Sequence, residues 1–243
     1  MKTNKKTTTE IKSFYQNKEV VKIYDNKRFS GYGGKYVDNI ETDSILRYVK
    51  NFNSMLELGS GTGRLTRFLI DQVSDLVCLD ASIEMLKLLK KKVKVKKTVN
   101  QSIFDKIKVS RKFDAITALR FFDHFSMSDQ NKIIKNAFPI MKKNGIFIYS
   151  ALNSKSSESV LSTFFYFSKT NYFYSYEEYE KMFLKNKLQI VSFRSDFFFP
   201  RGIYLRFRTK SVLFKLISYV DRWLVNMFPK YGSLYTFILE NTK

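Results

Sequence analysis

The segment Leu56-Glu-Leu-Gly-Ser-Gly-Thr-Gly-Arg64 restricts what this chain can fold into more than any other. Apolar residues lead into it and an amphipathic stretch leaves it, so the spacing predicts a strand, a tight turn and a helix. Glycines at 59, 61 and 63 permit that turn and let a ligand approach the backbone closely. The free N–H groups at the start of the helix behind them attract polar or anionic ligands. A second apolar run, Leu76-Val-Cys-Leu-Asp80, ends in a carboxylate about twenty residues further on, where it can accept both hydroxyls of an adenosine ribose. Together the two runs point to a nucleotide-type ligand. A dinucleotide loop needs glycine three places after its second glycine, and here that place holds Arg64.

From Met55 onward, short apolar runs alternate with amphipathic stretches, the pattern of an α/β fold in which crossover helices join parallel strands. Strands are expected near 54–58, 75–80, 95–99, 113–119, 145–151, 188–199 and 233–240. Helices are expected over 63–73, 82–92 and 128–142, with Ser82 capping the second and Asn144-Gly145 closing the third. Later helical patterns cover 158–168, 175–185 and 211–228. At the N-terminus, residues 1 to about 12 are polar and expected to fray, and two helical patterns flank the glycine-rich stretch Arg28–Gly34, expected as a loop. The chain thus divides into an N-terminal helical cap, 1–50, and a domain, 51–243, with a helical insertion at about 200–231.

The Gly-x-Gly-x-Gly form, with Glu57 two places before it, resembles the first motif of class I S-adenosylmethionine (SAM)-dependent methyltransferases. Asp80-Ala-Ser-Ile-Glu-Met-Leu86 resembles that family's Asp-x-Ser-x-x-Met-Leu run, Phe113–Leu119 its fourth strand, and Lys142–Ile148 its approach to the fifth. The resemblance implies a Rossmann-like seven-stranded sheet, mostly parallel with an antiparallel last strand and helices on both faces. It also implies SAM as cofactor and S-adenosylhomocysteine (SAH) as product. By the same resemblance Gly59 and Gly61, in a loop with Ser60 and Gly63, meet the methionine portion, Glu57 orders it directly or through water, and Asp80 takes the ribose. Ala81, Met85, Ile103 and Leu119 complete the implied cofactor site. Where the family commonly has an adenine-binding Asp after the third strand, this chain has Asn100-Gln101-Ser102, and Ser102 aligns best. Tyr24, Arg28 and Gly34 resemble the cap of the type 11 group, in which Arg28 either pairs with the SAM carboxylate or is structural.

Methyl transfer needs alignment of a nucleophile and sometimes removal of its proton. The single histidine, His124, follows the fourth strand at the carboxyl edge where ligands of open α/β sheets sit, and is read either as that base or as a helix-start residue bonded to a loop. No metal is expected. The formal charge of +21 invites a nucleic-acid or membrane partner, but an excess of lysine alongside Asn, Ile, Phe and Tyr also follows from base composition alone. Nucleic acid is the weaker expectation. The Ala-Leu-Arg-Phe run after the fourth strand lacks the Asn/Asp-Pro-Pro-aromatic form of amino-methylating DNA enzymes, and Cys78 is on the wrong strand to serve as a thiol nucleophile. One cysteine and no apolar leader fit a cytoplasmic protein. The helix over 211–228, apolar except at Lys215, Ser218, Arg222 and Asn226 and preceded by Arg201, Arg206, Arg208 and Lys210, needs a cover: the sheet, a second subunit or a membrane surface reached through 201–228. The resulting expectation is methyl transfer to O or N of a small molecule such as a lipid or glycan precursor. RNA methylation and a noncatalytic SAM-fold interaction protein are the alternatives.

Overall fold

A computed structural model describes residues 8–49, 52–165 and 171–241. Three helices come first: α1 (Thr8–Gln16), α2 (Lys18–Phe29) and α3 (Gly31–Leu46). The alternating region follows as β1 (Ser54–Leu58), α4 (Thr66–Leu69), β2 (Asp75–Asp80), α5 (Ile83–Lys92), β3 (Lys97–Asn100), β4 (Phe113–Ala118), α6 (Met127–Ala137) and β5 (Met141–Leu152). Then come α7 (Ser157–Phe165), α8 (Tyr176–Lys185), β6 (Leu188–Asp196), α9 (Arg201–Leu205), α10 (Val212–Met227) and β7 (Leu234–Asn241).

The strands form one seven-stranded sheet in the order β3-β2-β1-β4-β5-β7-β6, with β7 antiparallel to both of its neighbours. β1 is buried along its whole length, as expected of a central parallel strand covered on both faces. One face packs Ile133 and Ile134 of α6 and Tyr179 and Phe183 of α8 against Leu56, Ile116, Tyr149 and Phe237. The other packs Ile45, Leu69 and Leu89, from α3, α4 and α5, against Met55, Cys78, Ala115 and Ile148. A third cluster joins α3, α9 and α10 through Val37, Tyr204 and Phe214.

Several local expectations change. The glycine-rich stretch 28–34 is not a loop: α2 runs to Phe29, Ser30 alone makes the corner, and Gly31 opens α3. Its glycines serve close packing. A Cβ on Gly33 would lie 1.8 Å from the Tyr204 carbonyl oxygen, and the N–H groups of Tyr32 and Gly33 donate to the carbonyls of Arg208 and Phe207. The cap and the insertion are therefore bonded backbone to backbone. The polar N-terminal stretch becomes helical at Thr8, within the part expected to fray, and residues 1–7 lie outside the described residues.

The helix expected from Gly63 starts only at Thr66, because Gly63 has φ +86, outside the helical region. The helix expected to reach Lys142 stops at Ala137. Pro139 has no N–H to continue it, and a 3₁₀ turn over Phe138–Ile140 leads directly into β5. Asn144, at φ +59, forms a bulge inside β5 instead of a helix cap, and the pairing with β4 jumps from Phe113↔Met141 to Ala115↔Ile146. β3 sits two residues later than expected at its start. β6 ends at Asp196, where Phe197 turns to φ +62. The aromatic helix is described over Ser157–Phe165, and the rest of its expected span, 166–168, is outside the described residues.

Candidate functional site

The site is built at the carboxyl ends of β1, β2 and β4. Gly59 and Gly61 follow β1 at φ +63 and +54, values costly for any residue with a Cβ. At Gly59 the restriction is doubled, since a Cβ would meet the Phe121 ring at 2.2 Å. The Ser60 N–H donates to the Leu79 carbonyl, which ties the loop to β2. Asp80 completes the tie: one carboxylate oxygen accepts from Gly61 N–H at 2.8 Å and the other from Ser82 N–H at 2.7 Å. Burial raises the Asp80 carboxyl above its usual range, and the two backbone N–H groups oppose that shift. Each oxygen keeps lone-pair capacity for a further donor.

A cavity of about 1040 Å³ opens above this loop, at the upper end of the usual range for ligand sites, roughly 300–1,000 Å³. Its wall includes Arg28, Gly59, Ser60, Gly61, Asp80, Ala81, Met85, Leu119 and His124 from the sequence reading. Ser60 presents a buried hydroxyl with no partner, an unfilled polar position next to the glycine turn. The other four expected cofactor residues lie off the wall. Ile103 is in the core beneath, the Ser102 hydroxyl accepts from Phe104 N–H, and Gly63 turns toward Leu89. Glu57 is buried under the loop, where it accepts from the Thr66 hydroxyl at 2.6 Å and from the Cys78 thiol. Burial pushes its carboxyl up to about 7 against those hydrogen bonds.

The cap closes over one side. The Tyr15 carbonyl of α1 accepts from the Ser82 hydroxyl at 2.6 Å, and the Tyr15 hydroxyl lies 3.1 Å from His124 Nε2. Burial holds the Tyr15 phenol protonated, so it has a proton to donate to a neutral imidazole. Nearby, Arg28 stacks on the Tyr24 ring and donates to its hydroxyl at 2.9 Å.

The opposite side carries a charge cluster that no spacing in the sequence reveals. Glu41 of α3 is its hub, bonded to Arg64 at 2.7 Å, Arg120 at 3.1 Å and Arg201 at 2.7 Å. Arg201 also grips Glu158 of α7 with Nε and Nη2, and Arg120 reaches Asp123 at 2.9 Å. Burial opposes ionisation of Asp123, yet the Arg120 guanidinium beside it draws its carboxyl below the usual range. Arg120 adopts φ +52 immediately after β4, a strained conformation for a non-glycine residue, and its Nε is buried without a partner. Arg201 is thus an interior cation and does not belong with the surface arginines that precede α10. The cluster draws on five segments far apart in sequence, so only folding assembles it.

Comparisons with known proteins match the domain and the fold. Residues 55–145 match the family model described as "Methyltransferase domain". A curated relative, an uncharacterized protein of Methanocaldococcus jannaschii, is 29% identical over 143 residues, covering 59% of this chain and 52% of its own length. The chain therefore spans about half the length of that relative. Among solved structures, a SAM-dependent methyltransferase of Thermotoga maritima, titled a possible histamine N-methyltransferase, superposes with a TM-score of 0.68 at 15% identity, covering 95% of this chain and 99% of that one. Magnesium protoporphyrin IX methyltransferase of Synechocystis with bound SAH gives 0.62 at 12% identity, covering 96% and 99%. Residues 55–145 thus match a methyltransferase domain, and the chain has the fold of SAM-dependent methyltransferases.

Proposed function

We propose that this class I methyltransferase chain transfers a methyl group from SAM to an oxygen or nitrogen of a small molecule, with an amphiphilic lipid precursor favoured over a glycan. The observation that carries this reading is one cavity running from the Asp80 loop to a wall of apolar side chains and arginines. SAM, when bound, supplies a methyl on a positively charged sulfur, already activated for displacement. Asp80 accepts the ribose hydroxyls, the backbone of Gly59 and Gly61 leaves room for the methionine portion, and the Ser60 hydroxyl finds a partner there. Arg28 offers its guanidinium to the cofactor carboxylate.

The acceptor lies on the far side. Phe125, Leu161, Ile203 and Leu205 receive hydrocarbon, and Arg206 at the wall offers a cation to an acidic group. His124 takes the acceptor proton, either directly or through the Tyr15 hydroxyl that lies against its Nε2. Replacing His124 by alanine then lowers turnover by about 10²-fold or more, and unchanged turnover on the true acceptor removes the residue from the chemistry.

The reading is tested by calorimetry with SAH, followed by incubation of the protein with methyl-labelled SAM and cell extract separated into lipid, small-molecule, RNA and protein fractions. Label in the small-molecule or lipid fraction supports it. Label in RNA, with binding that weakens steeply as salt rises, replaces it with the nucleic-acid reading, and absence of SAH binding leaves a noncatalytic interaction protein.

A further inference from the structure

Helix α10 shows an inverted polarity. Its inward side carries Phe214, Ser218, Asp221 and Val225, and Asp221 accepts from the Phe199 N–H at 2.8 Å. The outward pole, at spacings of four, seven and four residues, is Val212, Leu216, Trp223 and Met227, flanked by Leu213 and Tyr219. Val212 is 83% exposed and Trp223 54%. Among the described residues nothing covers this face, although a soluble surface rarely leaves so continuous an apolar stripe open. The charges around it have one sign. Between residues 201 and 233 the exposed charged side chains are Arg206, Arg208, Lys210, Lys215, Arg222 and Lys230, and the only acid, Asp221, is buried.

We propose that the outward face of α10 docks on an anionic lipid surface, with the helix lying in the headgroup region. An apolar pole bordered by lysine and arginine is the composition that binds there, gaining from buried apolar area and from attraction to anionic headgroups. No helix among the described residues is long and apolar enough to cross a membrane, so α10 lies on the surface and does not span it. A second copy of the chain fits the face poorly. A two-fold contact through α10 brings two cationic rims together in molecules that each carry +21. The segment Arg206–Ser211 joins α10 to α9, whose Leu205 borders the cavity, so docking sets one cavity wall beside the lipid. Docking itself does not depend on the methyl-transfer reading.

The chain holds a single tryptophan, Trp223, in the middle of the face, which makes it a native probe. The full chain is titrated with phosphatidylcholine vesicles and with phosphatidylcholine–phosphatidylglycerol vesicles, following Trp223 emission and flotation. The expected result is a blue shift and flotation with the anionic vesicles only. Leu216→Glu and Met227→Glu, both at exposed positions, abolish them while SAH binding and the melting profile are retained. Lys215→Glu/Arg222→Glu weakens partitioning by roughly fivefold per charge, whereas the charge-matched Lys90→Glu/Lys91→Glu on α5 has less effect. Three results overturn the proposal: no blue shift with anionic vesicles, equal loss in the two charge-matched variants, or a blue shift without lipid that grows with protein concentration, which assigns the face to a second copy.

Discussion

Glu57→Gln is the substitution for which the structure gives both a sign and a size. The Glu57 carboxyl is fully buried under the glycine loop and burial moves it from 4.5 to about 7. Between those values the folded protein keeps a proton that the unfolded chain has released. The stability linked to this group is therefore fully present below about pH 4.5 and is lost as pH rises through about 7. At 1.36 kcal/mol per unit, a displacement of that size corresponds to about 3 kcal/mol. Glutamine has nearly the same shape, still accepts from the Thr66 hydroxyl and does not titrate. The variant should match the parent near pH 4.5–5 and exceed it by up to about 3 kcal/mol at pH 8, a rise in Tm on the order of 6–12 °C for a chain of this size. Urea denaturation of both proteins at several pH values between 5 and 8 measures the difference, and effects of other titrating groups cancel in it. A stability gap that stays constant across that range, or that favours the parent at pH 8, refutes the reasoning.

Three further outcomes are expected. Asp80→Asn places an amide N–H against a backbone N–H and loses a charged acceptor worth about 1.5–3 kcal/mol, so SAH affinity by calorimetry falls roughly ten- to a hundredfold; affinity within twofold of the parent contradicts the ribose assignment. Gly33→Ala forces α3 away from the Tyr204 carbonyl and costs about 1–3 kcal/mol in denaturant unfolding, and a change below about 0.5 kcal/mol means the two helices separate freely. Arg201→Ala strips Glu158 of its two-pronged partner and Glu41 of one of three, lowering stability by about 3–5 kcal/mol. Arg201→Lys recovers only part, because an ammonium cannot make the paired bonds, and full recovery by lysine shows that charge alone mattered.

The order of the strands and of the longer helices was legible from residue 54 onward because each central strand is a short apolar run and each crossover helix is amphipathic, both of them local properties, whereas the short α9 (Arg201–Leu205) had no such mark. Glycines at 59 and 61 and the acid at Asp80 were legible for a similar reason: a turn with positive φ and a carboxylate at a strand end leave marks in one short segment. Where a local mark has two uses, the sequence could not choose between them. The glycines at 33 and 34 read as a loop, yet they thin a helix for contact with the Tyr204 carbonyl and Phe29, and Asn144 read as a helix cap but makes a strand bulge. Ser102 aligned with the cofactor motif and Ile103 was read beside it, and neither borders the cavity.

The features that depend on distant segments had no local mark at all. Glu41 meets Arg201 across 160 positions in the chain and Tyr15 meets His124 across 109, distances that only chain closure removes. The polarity of α10 shows the same division. Its composition announced a helix apolar around most of its circumference, but composition is indifferent to rotation about the helix axis. Packing against α3, α9 and β6 set that rotation, turning Ser218 and Asp221 inward and leaving Trp223 in the open. The amino-acid sequence by itself thus determined the fold class and the glycine turn after β1, and tertiary contact decided which charges meet in the cavity wall and which apolar face is left exposed.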